Sequence, residues 1–325
     1  MNRGPLSFLC VGSATQDVYL SNSEGLAPVC NNPDDCFFNI QLGDKIYVNK
    51  VDFMTGGGAS NAAVTFSRSG QHSSFMGTVG NDPAGQAVIK SFADEYVDYT
   101  YLSYSDEFNT DYSTLLLDSN GERTILTYRG CGTNSKKANF DLNKVKRQID
   151  WIYLTSLVGH FEIYDDLLKK AKARDIKVAF NPGKKELAEA DRLKPILSYI
   201  DIFSLNKEEA QMLVEGDTIE ELAKKLRSYC PVVIVTDGIH GSVASDKTGM
   251  VRAGLYDHTE NSIDRTGAGD AFCSGFTLSY ALTGDIKQAM HFASANSSSV
   301  VMQVGAKTGI LPYSTKLKNM KLKLL

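Results

Sequence analysis

Short apolar runs alternate with amphipathic stretches along most of the chain. A run at 6–12 reads as a first β-strand. SSFMGTV at 73–79 reads as another, followed by a helix over 83–95. Trp151-Ile-Tyr-Leu opens a further strand, with a helix over 162–174 behind it. Three more strands follow at 177–180, 200–205 and 232–236, with helices over 206–214 and 217–228. The last third carries two long helical patterns, 267–282 and 285–303. Buried strands alternating with helices of about 10–15 residues predict a mostly parallel sheet covered by helices on both faces.

Two segments break this rhythm. Residues 17–55 hold no good helical pattern but contain FFNIQL (37–42) and KIYVNKVDF (45–53). Residues 99–130 contain TLLLDSNGERTILTY, two β-rich runs joined across Asn120-Gly121, a hairpin turn dipeptide. No repeat and no Pro/Gly/Ser linker divides the chain. The expected organisation is an α/β body from 1–16, 56–98 and 131–325, with a small β-sheet from 17–55 and 99–130. Such an appendage suits a lid, because a site that must exclude water needs a moving cover.

Composition narrows the function classes. The 325 residues can bury about three quarters of the unfolded surface, so folding needs no metal or disulfide. With 34 Lys and Arg against 38 Asp and Glu, the net charge is −4, no footprint for nucleic acid or an anionic membrane. No apolar run approaches the roughly 18 residues of a membrane span. The N-terminal stretch reads as a strand rather than a signal peptide. The six cysteines, at 10, 30, 36, 131, 230 and 273, contain no C-x-x-C pair and read as free thiols in a reducing cytoplasm. Cys30 and Cys36 are nonetheless close enough along the chain to meet.

The chemistry concentrates in Asp264-Arg-Thr-Gly-Ala-Gly-Asp270, which leads directly into the apolar helix AFCSGFTLSYAL. Gly267 and Gly269 permit a tight turn whose free amides, with that of Ala268, open onto a helix N-terminus, where anions are favoured. Asp270 would serve as a helix cap or as a base beside an anion hole, and the two glycines and Asp264 favour the second. A second cluster, Met54-Thr-Gly-Gly-Gly-Ala-Ser-Asn61, is a tight turn or a binding loop, with Gly57 and Gly58 admitting a ligand and Asn61 offering donor and acceptor. It fails the dinucleotide fingerprint, and no P-loop is present. Asp17 lies just past the first strand, where open α/β sheets bind ligands. Asn206 and Glu209 stand one turn apart: a capping box, or a carboxylate ordering the water shell of Mg²⁺. Val235-Thr-Asp-Gly-Ile-His-Gly241 is a ligand loop or a plain hairpin. His72, His160, His240, His258 and His291 lack metal-ligand spacing. His160 follows a strand end, which makes it a candidate to face substrate.

Taken in order, these pieces resemble the ribokinase/PfkB family of ATP-dependent carbohydrate and nucleoside kinases. Asp264 to Asp270 is similar to D-x-x-G-A-G-D, Gly56 to Asn61 to G-G-x-x-x-N, and Asn206 to Glu209 to N-x-x-E. The resemblance implies a three-layer α/β/α body with a β-lid, and transfer of the ATP γ-phosphoryl group to a hydroxymethyl group. Asp270 would be the general base and the 267–269 amides the anion hole. Asp17, Gly57, Gly58 and Asn61 would hold the sugar, with Arg129 and His160 as further contacts. Asn206, Thr236, Gly238, Gly241 and Asn296 would hold ATP. Glu209 would bind Mg²⁺ through water, and Asp264, Thr266, Val301 and Gly305 would form a K⁺ cage. Gly58 and Thr15 stand where true ribokinases carry Lys and Asn, and YLTSLVGH lacks their strand-end Glu, so the acceptor need not be ribose. Tyr101, Phe108 and Tyr112 are aromatics that would cover a sugar, stack on a base, or pack the lid. The leading expectation is a cytoplasmic sugar kinase, then a nucleoside kinase, with a homodimer through the lids. A non-catalytic sugar- or nucleotide-binding protein is a third reading.

Overall fold

The computed structural model describes residues 4–21, 27–32, 35–117, 123–257 and 262–325. The Asn120-Gly121 turn and His258 lie outside the described residues. The strands are β1 Ser7–Val11, β2 Thr15–Ser21, β3 Pro28–Asn32, β4 Asp35–Phe38, β5 Lys50–Gly56, β6 His72–Gly80, β7 Asp98–Ser105 and β8 Asp111–Leu117. They continue with β9 Arg123–Tyr128, β10 Trp151–Thr155, β11 Lys177–Asn181, β12 Ile202–Asn206, β13 Val232–Thr236, β14 Ser242–Asp246, β15 Gly249–Ala253 and β16 Leu322–Leu324. The helices are α1 Gly58–Arg68, α2 Pro83–Asp94, α3 Phe161–Ala173, α4 Lys184–Ala188 and α5 Ala190–Ile196. After these come α6 Lys207–Gln211, α7 Ile219–Leu226, α8 Ala268–Thr283 and α9 Ile286–Val301.

Ten strands form the main sheet in the order β16-β15-β14-β13-β12-β11-β10-β1-β6-β7. The seven from β13 to β7 run parallel, and β14 to β16 extend the far edge antiparallel. The apolar runs are continuous because both faces are covered. Leu9 and Val11 of β1 point into one core with Ile152, Leu154, Val178 and Phe180. Phe8 and Cys10 point into the other with Tyr153, Ala179 and Ile234. Residues of α3, α5 and α7 close the first core, and residues of α1, α2, α8 and α9 the second. At about 25 cal/mol per Å² of apolar surface removed from water, these two cores dominate the driving force for folding.

The second sheet has four strands in the order β5-β2-β8-β9. Its period of two puts Asp17, Tyr19, Ser113, Leu115, Ile125 and Thr127 on one face, and Val18, Val51, Phe53, Leu126 and Tyr128 on the other. Three boundary expectations change. Residues 98–105 pair with β6 in the main sheet, so they are body rather than appendage. Thr15 and Gln16 already belong to the small sheet. Strand structure in the 37–53 stretch is confined to Phe37–Phe38 and to residues 50–53.

The cysteine expectation is also corrected. Cys30 and Cys36 face each other across the β3–β4 hairpin and are joined by a disulfide, with Cα atoms 4.0 Å apart. Six residues of separation permit many arrangements, and hairpin register alone brings the pair to bonding distance. Cys10, Cys131, Cys230 and Cys273 are free and buried.

Candidate active site

The parallel strands deliver their carboxyl ends to one rim, where the N-termini of α1, α6 and α8 gather. Gly267 begins the α8 turn in the left-handed region, φ 79°, and no side chain caps this helix. A Cβ at Gly267 would lie 2.4 Å from the Ala306 Cβ, so glycine is required there by both backbone and packing. A Cβ at Gly269 would meet no atom within 4 Å, which leaves open room over the amides. Asp264, buried beneath, fixes the turn. Its Oδ1 accepts from the Thr266 amide (2.8 Å) and its Oδ2 from the Gly305 amide (3.0 Å). The Val301 carbonyl accepts from the amides of Ile263 and Asp264.

On one side of the turn lies a cavity of about 230 Å³, lined by Thr15, Asp17, Gly57, Gly58, Asn61, Ser113, Thr127, Arg129, Gly267 and Asp270 among others. Asn61 Nδ2 donates to Asp270 Oδ2 at 2.8 Å. Asn61 Oδ1 is buried with no hydrogen-bond partner among the described residues. A buried acceptor without a partner is costly, and it lies in a residue that lines this cavity. Burial pushes the Asp270 carboxyl above the ordinary carboxylate range. The Asn61 bond opposes that shift and the Asp17 charge adds to it. Asp17 is likewise raised by burial, against the bond from Thr15 Oγ1 (3.0 Å) and the charges of Lys307 and Arg129. A Cβ at Gly58 would stand 3.2 Å from Asp270 Oδ1 and 3.3 Å from Thr155 Cγ2, tight contacts that a shift of a few tenths of an ångström would relieve.

On the other side lies a larger cavity of about 570 Å³, within the roughly 300–1,000 Å³ of small-molecule sites. Asn206, Thr236, Gly238, Gly241, Ala268, Gly269, Phe272 and Val301 are among its walls. The two cavities share the 267–270 turn as a partition. Asn206 and Glu209 form the capping box: Asn206 Oδ1 accepts from the Glu209 amide (2.8 Å), and Glu209 Oε2 accepts from the Asn206 amide (2.9 Å). Burial raises the Glu209 carboxyl, opposed by the Asn206 amide and the Lys184 charge and reinforced by Asp270. The loop at 236–241 is at once a β13–β14 hairpin and a cavity wall.

The sequence profile of the pfkB family carbohydrate kinases matches residues 29–312. The chain belongs to this family. Ribokinase from Staphylococcus aureus (strain COL) is 25% identical over 286 residues, covering 83% of this chain and 90% of its own length. Fructokinase from Escherichia coli is 29% identical over 292 residues, covering 82% and 91%. The structure of Arabidopsis thaliana ribokinase complexed with ribose and ATP superimposes with a TM-score of 0.75 at 20% identity, covering 95% of this chain and 96% of that one. This pfkB-family protein is therefore a phosphotransferase with an alcohol acceptor, a sugar or nucleoside kinase with the ribokinase fold.

Within this pfkB-family site the structure separates the expected residues. Asp17, Gly57, Gly58, Asn61, Arg129, Thr266, Gly267 and Asp270 meet at the smaller cavity, and Asn206, Thr236, Gly238, Gly241, Ala268, Gly269 and Val301 at the larger. Arg129 also pairs with the buried Asp111 at 3.3 Å. Two expectations are corrected. His160 does not line the smaller cavity: its ring is held between the Thr133 carbonyl (2.8 Å) and Glu162 (3.2 Å) at the start of α3. Asn296 is fully buried between α8 and the 311 backbone, donating to the Ala271 carbonyl and accepting from the Leu311 amide, both at 2.8 Å. Tyr101 lies in the main sheet, Phe108 follows β7, and Tyr112 faces away from the cavity; none lines it. Sequence reasoning missed Lys307, whose ammonium is buried among hydroxyls and pushed down to about 7 by burial, against the pull of Asp17 and Glu95. It also missed Glu186, which accepts from the amides of Leu157, Gly159 and Gly183 and shapes the turn after β10. Neither has a local pattern in the sequence that separates it from a surface charge.

Proposed function

We propose that the protein transfers the γ-phosphoryl group of ATP to a hydroxymethyl group of a small sugar, with Asp270 as general base. The observation that carries the reading is the shared 267–270 turn, which offers Ala268 and Gly269 to the larger cavity and Asp270 to the smaller. The substrate hydroxyl would lie against Asp270, held by Asn61 Oδ1 and Asp17. As the hydroxyl oxygen bonds to phosphorus, its proton passes to Asp270 and the bond from phosphorus to the ADP oxygen breaks. The amides at the uncapped α8 start face the charge on the transferred oxygens, a stabilisation of about 3–4 kcal/mol per donor in comparable sites.

The residues present fit Mg²⁺ better than a metal caged wholly by protein. Among the described residues no group of three or more His, Cys, Asp or Glu is placed to hold a metal ion, and Mg²⁺ takes one or two carboxylates, waters and phosphates. Asn206 and Glu209 would hold its water shell, and the ion, when bound, neutralises phosphate charge. Asp264, Thr266, Val301 and Gly305 remain the candidate surroundings of a K⁺ ion, with the Asp264 oxygens already accepting two amides. The small sheet would act as the lid over the sugar, and its outer face as a homodimer contact.

The test is ADP release with ATP and Mg²⁺ across pentoses, hexoses, sugar acids, sugar phosphates and nucleosides, beside Asp270→Asn. Removing the base is expected to lower kcat by about 10²–10⁴-fold with ATP binding retained. Undiminished turnover in that variant would sink the mechanism, and a nucleoside as the sole acceptor would transfer the reading to a nucleoside kinase.

A further inference from the structure

Lys307 follows α9 in the loop that also carries Gly305 and Ala306, and only 8% of it is exposed. Its ammonium lies 2.6 Å from Ser60 Oγ, 2.8 Å from Thr55 Oγ1 and 3.5 Å from Ser91 Oγ, over the Phe92 ring. Thr55 Oγ1 bonds Ser91 Oγ at 2.9 Å. These partners are hydroxyls, and a charge buried among hydroxyls is costly. A methionine would fill the same space without that cost, so the ammonium is read from what it joins.

Thr55 and Ser60 stand immediately before and just after the three glycines 56–58. This turn has no side chains to pack, and glycine loses more freedom on ordering than any other residue. Its geometry must therefore be imposed from outside. One residue beyond Ser60 is Asn61, which holds Asp270 Oδ2. Arg68 fixes the Lys307 loop in turn, donating to the Lys307 carbonyl at 2.8 Å and the Ile310 carbonyl at 3.0 Å. Ala306 packs against Gly267.

We infer that Lys307 is a positioning residue: its ammonium cross-links Thr55 and Ser60 and holds the glycine turn in the shape that sets Asn61 on Asp270 and opens Gly57 and Gly58 to the acceptor. The inference rests on the reading of the smaller cavity as the acceptor site. Hydrogen bonds to a charged group are among the stronger ones, so losing them is expected to shift acceptor binding by about tenfold or more.

The experiment compares wild type, Lys307→Met, Lys307→Arg, Ser60→Ala and the Lys307→Met/Ser60→Ala double variant, all with ATP and Mg²⁺ and the acceptor identified by ADP release. Lys307→Met is expected to raise the acceptor KM about tenfold or more while the KM for ATP stays within about twofold. Lys307→Arg is expected to restore part of the loss, and the double variant to be no worse than Lys307→Met, because both remove one shared interaction. Unchanged values of both KM, with Vmax falling only in proportion to the folded fraction, would overturn the inference. If Lys307→Met does not fold, Ser60→Ala and Thr55→Val carry the same comparison. If the wild type phosphorylates no acceptor, the kinase reading fails by itself. Amide exchange at residues 56–61 then decides this one: about tenfold faster exchange in Ser60→Ala supports the cross-link, and unchanged exchange overturns it.

Discussion

Asp270 is held above the ordinary carboxylate range by burial, relieved by Asn61 and increased by Asp17. General-base catalysis needs the ionised form, so kcat/KM is expected to rise with pH through the raised value and then level off. Asn61→Ala removes a bond that favours the ion and should move that midpoint up, whereas Asp17→Asn removes a like charge and should move it down. One common midpoint in all three pH–rate profiles would contradict this. A folded value above the unfolded one means the native state binds more protons between the two, so stability falls as pH rises through that window. Asp270→Asn should accordingly leave Tm at pH 7 unchanged or higher, read by calorimetry. The two glycines of the turn separate in a similar way. Gly267→Ala must adopt φ 79° against Ala306 and is expected to cost more than about 1–2 kcal/mol, lowering Tm by several degrees. Gly269→Ala meets open space and should leave Tm within about 1–2 °C while weakening ATP binding. Both glycines and Asp270 are legible in the sequence because a helix-opening turn with a tight backbone uses short-range chemistry. Lys307 is not, since its partners stand 216 to 252 residues away.

At the α6 start, the capping box and the proposed Mg²⁺ site share the same residues. Glu209→Gln keeps a side chain able to complete the capping box but removes the charge. The expected outcome is an unchanged Tm and an Mg²⁺ requirement raised about fivefold or more, read by titrating Mg²⁺ at fixed ATP. An unaltered Mg²⁺ titration would leave Glu209 as a cap only. In the same assay, equal rates in Na⁺, K⁺ and cation-poor buffer would remove the K⁺ proposal. The strands and long helices match the sequence pattern closely, because apolar continuity and the 3.6-residue period are local. The errors arise where partners decide. The 99–105 stretch has the β pattern of an appendage strand, yet β6 recruits it. The resemblance assigns Asn296 to ATP, yet the Ala271 carbonyl and Leu311 amide consume its side chain. His160 follows a strand end as a ligand residue would, but Glu162 and the Thr133 carbonyl occupy its ring.

For the molecule as a whole, the outer face of the small sheet leaves Phe53 71% and Leu126 59% exposed on one side of the pleat. Exposed apolar side chains on one sheet face are candidates for an association surface, and a two-fold copy would cover them with like surface. Sedimentation is expected to show a dimer that Phe53→Lys with Leu126→Lys converts to a monomer. A wild-type monomer, or a dimer untouched by the pair, would dismiss that contact. The amino-acid order by itself determined the alternation of strands and helices, the two β excursions, the 264–270 turn with Asp270 at its end and the family resemblance. Each of these is written in neighbouring residues, where steric and hydrogen-bonding preferences act over one or two turns of chain. Only the tertiary structure decided that one turn divides two cavities, that Asn61 meets Asp270 across 209 positions, that Cys30 reaches Cys36 and that Lys307 closes the glycine turn. Those contacts depend on how the sheet stacks its helices and aligns its registers, and burial then sets which polar groups are left for a ligand.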